Sequence, residues 1–227
     1  MKQKNSFEEA YSLILEEIIS GSLKPGEVVT EVYLAEKYGI SRTPVREALS
    51  RFQCEGLINT SNRTKRIYSL SIQDIEEIFE LKKLIEGDIT LKAAENLTVA
   101  QAKELKQIVT EMTELSEFGP ENEAQEEELL QKWLDLDKKF HNILFSACGN
   151  QRAQQFIQRL NLQWHRLKIG LVAIEGRIGH AILEHREIAN AVIEKNPDKA
   201  REIMIEHLEN LKKVILKLMY AFNYSFS

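Results

Sequence analysis

The first twenty residues of the chain place apolar side chains at helical spacing. These side chains recur at i, i+3 and i+4 intervals, which is typical of a helix with one buried face. They are Tyr11, Ile14, Leu15, Ile18 and Ile19. Ser6 is suited to cap the start of this helix, and Gly21 ends it before a turn. The pattern therefore predicts an amphipathic helix over residues 6–20.

Two shorter helical patterns follow the first helix. Thr30 is suited to cap a helix that runs through Tyr38, and Gly39 then ends that helix in the left-handed conformation. Ser41 is suited to cap a third helix, which continues to Gly56. Because only one residue separates Gly39 from the next cap, the two helices are expected to cross closely.

A β-hairpin is predicted after the third helix. Two short runs with β-forming residues, 57–60 and 66–70, flank a polar and basic turn. Together with the three helices, the hairpin forms a predicted first domain over residues 1–70.

The remainder of the chain carries only helical patterns. The predicted helices cover about residues 71–96, 98–118, 121–148, 151–174, 180–195 and 197–220. Gly119-Pro120 and the segment from Gly176 to Gly179 are predicted breaks. We therefore expect a second, all-α domain over residues 74–225, and a mainly α fold overall.

Composition narrows the class of protein. Of the 227 residues, 43% are hydrophobic and 29% are charged, which suits a folded, soluble chain. No apolar run approaches the roughly 18–20 residues that span a bilayer, and acidic residues interrupt the N-terminal apolar stretch, so we expect a cytoplasmic protein. The two cysteines, Cys54 and Cys148, are too few for a disulfide framework.

The charge of the chain is unevenly distributed. The net charge is -5, yet residues 38–70 contain six basic side chains and two acidic ones. Screening limits the reach of distant charges to about 8–10 Å, so this short basic segment can bind phosphate although the whole chain is acidic.

The second and third helices have the spacing of a helix-turn-helix, whose second helix enters the DNA major groove. Arg42 and Arg46 are four residues apart and therefore share a face. Arginine can donate two hydrogen bonds to guanine, and Thr43 can bind a base or a phosphate. Three basic residues are expected at the tip of the hairpin, where they suit contacts with the DNA backbone or minor groove. They are Arg63, Lys65 and Arg66. The alternative is that these are ordinary solvated charges.

Histidines and one aspartate in the second domain form a candidate metal site. Asp137 and His141 are four residues apart and project from one helix face, while His185 and His207 lie on two other predicted helices. Side chains from separate helices can converge in a bundle core and hold a divalent ion. Spacing alone leaves open that Asp137 and His141 form a surface ion pair and that the other histidines are unrelated to them.

The N-terminal segment closely resembles a known family. Residues 11–58, and the strings SRTPVREAL and EGL within them, resemble the winged helix-turn-helix of the GntR family of bacterial transcription regulators. The resemblance implies DNA contacts through Arg42, Thr43, Arg46 and Arg51, with Ser41 as the helix cap. Family wings often carry Asn-Arg-Gly, whereas this chain has Asn62-Arg63-Thr64, so the resemblance does not fix which wing residue enters the groove.

The strings LDKKFHNILFSACGN, EHREIANAV and IEHLENL resemble the FadR-like branch of that family, which has an all-helical ligand-sensing domain called FCD. The resemblance implies that a divalent Zn, Ni, Mn, Co or Fe ion is held by four matching residues. These are Asp137, His141, His185 and His207.

The same resemblance suggests an effector, a small carboxylate, in the metal-containing pocket. Lys82 stands where the family often has an arginine that faces the effector, and Trp164 and Arg177 are further candidates. His165 and His180 do not match ligand positions and are interpreted as pocket-lining or surface groups.

The preferred hypothesis is a homodimeric regulator, a repressor, that binds operator DNA and responds to the effector. Part of the dimer face is expected on the helices between residues 74 and 118. One alternative is a metal-dependent hydrolase, although no motif of a known hydrolase supports it. The other alternative is a dimerisation module in which the metal only stabilises the bundle.

Overall fold

The computed structural model describes residues 6–117, 123–172 and 177–221. Within these ranges the chain forms nine helices and one two-stranded antiparallel hairpin. This confirms the mainly α fold with an N-terminal winged helix-turn-helix and a C-terminal helical bundle. The hydrophobic side chains form two separate cores, one before residue 68 and one that begins at Leu70.

The first core lies between three helices and the hairpin. The elements are α1 (Phe7–Ser20), α2 (Glu31–Tyr38), α3 (Arg42–Cys54), β1 (Ile58–Ser61) and β2 (Thr64–Ile67). Ile14, Leu34, Leu49 and Phe52 are fully buried in this core. The predicted helix positions and hairpin are therefore confirmed.

Local caps explain where the first two helices begin and end. The hydroxyls of Ser6 and Thr30 accept hydrogen bonds from backbone N–H groups in the first turns of α1 and α2. Gly39 ends α2 at φ 65°, in the left-handed region that favours glycine. Ser41 occupies the N-cap position of α3, but its side chain makes no capping hydrogen bond. Ser41 therefore stands at the predicted N-cap position, whereas the predicted capping by its hydroxyl is wrong.

The second core lies between six helices. They are α4 (Ile72–Asn96), α5 (Val99–Glu117), α6 (Glu123–Cys148), α7 (Gln151–Val172), α8 (Arg177–Ile193) and α9 (Pro197–Ala221). Ser71 and Asp74 form a reciprocal capping box at the start of α4, which fixes the junction between the two cores. Helices α4 and α9 pack along each other, and α6, α7 and α8 surround the site described below.

The predicted helix breaks have different outcomes. Helix α8 begins at Arg177, so Gly179 lies inside the helix and the predicted break does not extend that far. The remainder of that break, and the break at Gly119-Pro120, fall outside the described residues. None of the helices described is both long and apolar enough to cross a membrane.

Candidate functional site

The N-terminal half of α3 presents a polar, basic face. The side chain of Arg42 is 65% exposed, and Thr43 and Arg46 are also exposed. The opposite face of the helix is anchored in the core by Val45, Ala48, Leu49 and Phe52. One guanidinium nitrogen of Arg42 lies 3.4 Å from a carboxylate oxygen of Glu31 on α2, an exposed pair of little energetic weight. The two arginines are thus held on a rigid helix and remain accessible.

Arg51 lies on a different part of α3. It follows Arg42 by nine residues, which at roughly 100° per residue places it on the other side of the helix. Its Nε donates a 2.6 Å hydrogen bond to the buried carboxylate of Glu55. That carboxylate also accepts a 2.8 Å hydrogen bond from the hydroxyl of Tyr11 on α1, and the pKa of this tyrosine is raised by burial and by the bond to Glu55. Arg51 therefore connects the end of α3 to α1 and is separate from the Arg42 face.

The hairpin turn consists of Asn62 and Arg63, both with positive φ angles of 50° and 63°. Two successive residues with positive φ form a tight turn whose backbone twist matches that of the flanking strands. The second of these residues is usually glycine. The side chain of Arg63 is exposed at this tip, while Lys65 is half-buried on β2. Arg66 lies within β2 rather than at the tip, and its guanidinium donates to the carbonyl of Gly26.

Replacing Arg63 with glycine is expected to stabilise the fold and weaken DNA binding. Relief of the left-handed conformation should raise the free energy of unfolding by about 0.5–1 kcal/mol, which corresponds to roughly 1–4 °C in melting temperature. Loss of one cationic contact should weaken DNA binding roughly 3–10-fold, measured by fluorescence anisotropy at constant salt. Asn62→Gly is the control, because it relieves the same turn without removing a charge. Equal DNA affinity for Arg63→Gly and wild type would exclude this arginine from the interface.

Three histidines from α6, α8 and α9 converge in the second domain. One ring nitrogen from each of His141, His185 and His207 lies within 4.8 Å of the others, and we call these three residues the histidine cluster. His185 is fully buried and His207 is 4% exposed. The three predicted imidazoles therefore come together from separate helices.

The hydrogen bonds of His185 determine which of its nitrogens faces the cluster. Its Nδ1 lies 2.6 Å from the carbonyl oxygen of Ala181, and since a carbonyl can only accept, Nδ1 carries the proton. Its Nε2 is then a buried acceptor that has no hydrogen-bond partner among the described residues. That atom lies 3.5 Å from a carboxylate oxygen of Asp137, which is also an acceptor. Two acceptors that face each other in a buried site fit a shared cation.

His207 is oriented by a carboxylate behind it. Its Nδ1 lies 2.7 Å from Glu184 Oε2, which fixes the proton on Nδ1 and leaves Nε2 as the acceptor. The other oxygen of Glu184 accepts a 3.0 Å hydrogen bond from Asn210. This carboxylate–imidazole arrangement is common behind metal-binding histidines, because it holds the ring and raises its basicity.

Two carboxylates lie beside His141. Asp137 Oδ1 is 3.9 Å from its Nε2, and Glu86 Oε2 is 3.8 Å from its Nδ1. Asp137 is 5% exposed and Glu86 is 1% exposed. With the three imidazoles, Asp137 completes a nitrogen-rich donor set that suits Zn, Ni, Co, Mn or Fe. The residues present thus fit a divalent metal ion.

A cavity of about 590 Å³ adjoins the histidine cluster. His141, His207 and Asp137 line it together with apolar side chains of α6 and α9. Leu15 and Ile19 of α1 also line it, so the first domain supplies part of the cavity wall. The space is large enough for a small organic ligand next to the cluster.

Lys82 lines this cavity but is already paired. Its Nζ donates a 2.5 Å hydrogen bond to Glu86 and a 2.6 Å hydrogen bond to Asn161 Oδ1. The ammonium group also lies 5.3 Å from the ring centroid of Trp164. Only 2% of Lys82 is exposed, so a carboxylate that binds it has to compete with Glu86.

The remaining predicted pocket residues have mixed outcomes. Trp164 lines the cavity, and its indole N–H donates to Asn161 rather than to the open space. His180 is exposed on α8, in agreement with its interpretation as a surface group. The side chains of Arg177 and His165 lie outside the described residues.

Sequence patterns did not indicate the roles of Glu86, Asn161 and Glu184. Glu86 follows Lys82 by four residues on one helix, which is the signal of a local ion pair but not of its burial. Glu184 points away from His185, as its position one residue earlier requires, and reaches His207 on the next helix. That contact depends on how α8 and α9 pack.

Comparisons with known proteins match both halves of the chain. The model of bacterial regulatory proteins of the gntR family matches residues 7–64, and that of the FCD domain matches residues 77–210. The chain is 28% identical over 211 residues to the uncharacterized HTH-type transcriptional regulator YdhC of Bacillus subtilis, with 90% of each chain covered. It is also 28% identical over 220 residues to the HTH-type transcriptional regulator LutR of the same species, covering 87% of this chain and 95% of LutR.

Solved structures share the fold of this chain. The Escherichia coli protein McbR/YncC superposes with a TM-score of 0.74 at 20% identity, over 93% of this chain and 97% of that protein. The relatives are named as transcription regulators rather than enzymes. The two matching models and the arrangement of the helices assign this chain to the GntR family of bacterial transcription regulators, with an FCD ligand-sensing domain behind its DNA-binding domain.

Proposed function

We propose that this protein is a homodimeric repressor whose affinity for operator DNA is controlled by a small carboxylate bound beside a metal ion. The observation that carries the sensing role is the cavity of about 590 Å³ that opens onto the histidine cluster. A buried imidazole nitrogen without a hydrogen-bond partner, directed at a carboxylate, supports the metal. Acting on operator DNA places the protein in the bacterial cytoplasm.

In this proposal α3 reads the operator. Arg42, Thr43 and Arg46 contact base edges or phosphates in the major groove, since they share the exposed side of the helix. Ser41 and Lys65 contribute phosphate contacts, Arg63 contacts the minor groove, and Arg51 contacts the flanking backbone.

A dimer presents two copies of the DNA-binding domain to a two-fold symmetric operator. Exposed apolar side chains on α4 support part of the dimer face on this helix. Leu84 is 61% exposed and Leu81 is 39% exposed, an unfavourable placement unless another surface covers them. They lie within the helices where the dimer face is expected.

Asp137 and the histidine cluster would hold the metal ion, with Nε2 of His185 and of His207 as donors. An ion bound there supplies a Lewis-acidic centre that can accept a carboxylate oxygen of the effector. Glu184 and the carbonyl of Ala181 keep the two imidazoles in the correct tautomer and orientation.

Lys82 influences which anions bind in the cavity. Because its charge is balanced by Glu86, an effector carboxylate competes with that partner for the ammonium group. Trp164 and Arg177 complete the proposed effector site. An effector that draws Lys82 away from Glu86 changes the position of Asn161 on α7, which provides differential contacts between two states.

A thermal-shift screen of small carboxylates tests the sensing role, using the metal-loaded full chain. A ligand at 100 times its Kd should stabilise the protein by about 2.7 kcal/mol, or roughly 5–10 °C. Lys82→Met combined with Glu86→Gln should reduce that shift by more than half, since both charges of the pair are removed. Lys83→Met is the matched control on the same helix, because Lys83 pairs with Glu209 on α9 outside the cavity lining. A screen in which no carboxylate shifts melting or DNA affinity contradicts the proposed effector.

A structural ion is the second candidate function for the cluster. It requires that chelation lowers melting temperature and leaves the response to ligand unchanged. The cavity beside the cluster favours sensing, because a purely stabilising ion needs no such space. A hydrolase is disfavoured by the commitment of Glu184 to His207 and Asn210 and of Glu86 to Lys82.

A further inference from the structure

Two sets of polar contacts on α7 lie between the cavity and the C-terminal end of α3. The first set begins at the histidine cluster, where Glu86 Oε2 lies 3.8 Å from His141 Nδ1. The other oxygen of Glu86 accepts a hydrogen bond from Lys82, and Lys82 donates in turn to Asn161 on α7. Helix α7 is therefore held from the cavity side by one buried ammonium group.

The same turn of α7 also contacts the first domain. Gln163 is two residues after Asn161, and its Nε2 donates a 3.0 Å hydrogen bond to the backbone carbonyl of Glu55. Leu162, between them, lines the cavity and packs against the core of the first domain. Adjacent residues of one helix turn thus contact the cavity lysine and the DNA-binding domain.

Glu55 is the residue at the C-terminal end of α3. Its carboxylate is 5% exposed and binds Arg51 of α3 and Tyr11 of α1, while its carbonyl binds Gln163. Three bonds from three helices therefore fix the position of this end of α3. If the carbonyl of Glu55 moves by a fraction of an ångström, α1 and α3 have to move with it, because the packed core between the two helices does not deform freely.

Gly56 makes the close contact with α7 feasible. It adopts φ 76°, and a Cβ atom built there would lie 2.6 Å from the Nε2 of Gln163. A side chain at this position would therefore be strained and would push Gln163 away from Glu55. Glycine in the EGL string of this sequence serves the interdomain contact as well as the turn.

We infer that the hydrogen bond from Gln163 to the carbonyl of Glu55 is an interdomain latch that couples the state of the cavity to the orientation of α3. Gln163 and Glu55 are positioning residues for the DNA-reading helix, and Lys82 and Asn161 are the cavity end of the coupling. The inference rests on the proposed function only for the identity of the ligand. The coupling itself depends only on contacts within one chain.

A double-mutant cycle in the metal-free, full-length protein tests the latch. The cavity-side change is Lys82→Met with Glu86→Gln, which removes both buried charges together and avoids leaving one of them unpaired. The latch-side change is Gln163→Ala. The readout is hydrogen exchange at the backbone amides of Glu55, Gly56 and Leu57, which donate within the last turn of α3.

The cavity-side change should alter exchange at these amides about threefold or more when Gln163 is present, and by less than about 1.5-fold in the Gln163→Ala background. Gln163→Glu should behave like Gln163→Ala, because it keeps the size of the side chain and loses the N–H donor. Gln155→Ala is the matched control, an exposed glutamine two turns earlier on α7. Circular dichroism confirms that each variant is folded.

Two results would overturn the inference. One is an equal response of the α3 amides to the cavity-side change with and without Gln163. The other is wild-type behaviour of Gln163→Glu, which would show that the contact acts through packing and does not need the N–H donor. Titration of Zn²⁺ by calorimetry into the wild type is run in parallel, so that failure of the metal site is recognised separately from failure of the latch.

Discussion

Combined replacement of Arg42 and Arg46 by alanine is expected to abolish specific operator binding at micromolar protein. Each lost bidentate base contact costs about 1–3 kcal/mol, so the pair should weaken binding roughly 10²–10⁴-fold. The side chains are exposed and their helix is anchored by a separate apolar face, so the fold should be unaffected. The measurement is fluorescence anisotropy with a duplex that the wild-type protein selects from a random pool.

The control for this prediction has to match the loss of two positive charges. Arg152→Ala with Arg159→Ala serves, because both arginines are exposed on α7 in the second domain. The control should retain wild-type affinity within about threefold. If the control and the Arg42/Arg46 variant lose equal affinity, general electrostatics rather than groove reading carries the binding.

Removal of the metal ion is the second large effect that we expect. Dialysis against EDTA should lower the melting temperature by about 5–15 °C, since a ligand present at 100–1,000 times its Kd contributes roughly 2.7–4.1 kcal/mol. The size follows from the burial of His185 and His207 and from the 3.5 Å approach of His185 Nε2 to the Asp137 carboxylate, which a cation between them would stabilise. Elemental analysis of the purified protein identifies the ion, and re-addition of that ion should restore the melting temperature.

Variants of the cluster separate this site from other metal-binding groups. His185→Ala should eliminate both bound metal and the EDTA effect, and the milder Asp137→Asn should reduce metal affinity while keeping the shape of the site. His180→Ala is the matched control, because this histidine is exposed five residues earlier on the same helix. A His185→Ala protein that is folded and retains one equivalent of metal would falsify the assignment.

Local sequence patterns were sufficient for most element boundaries. Ser6, Thr30 and Gly39 act through hydrogen bonds and φ values within a few residues, and the structure has each of them in the expected role. Ser41 differs because a serine at the N-cap position can either accept a backbone hydrogen bond through its hydroxyl or leave that bond unmade. Only the side-chain geometry distinguishes the two cases. Gly179 is predicted to belong to a break, yet it lies within α8 at an exposed position, where glycine has only a modest cost.

The order of the amino acids is enough to identify the chemical groups that share a helix face. Four-residue spacing places Arg42 with Arg46, and Asp137 with His141, because the helix period is a local property. Helix packing, in contrast, pairs the buried Lys82 with Glu86, brings Glu184 to His207 and makes α1 part of the cavity wall. These contacts join residues on different helices or depend on which helix face is buried, and both follow from how the helices pack rather than from any stretch of sequence.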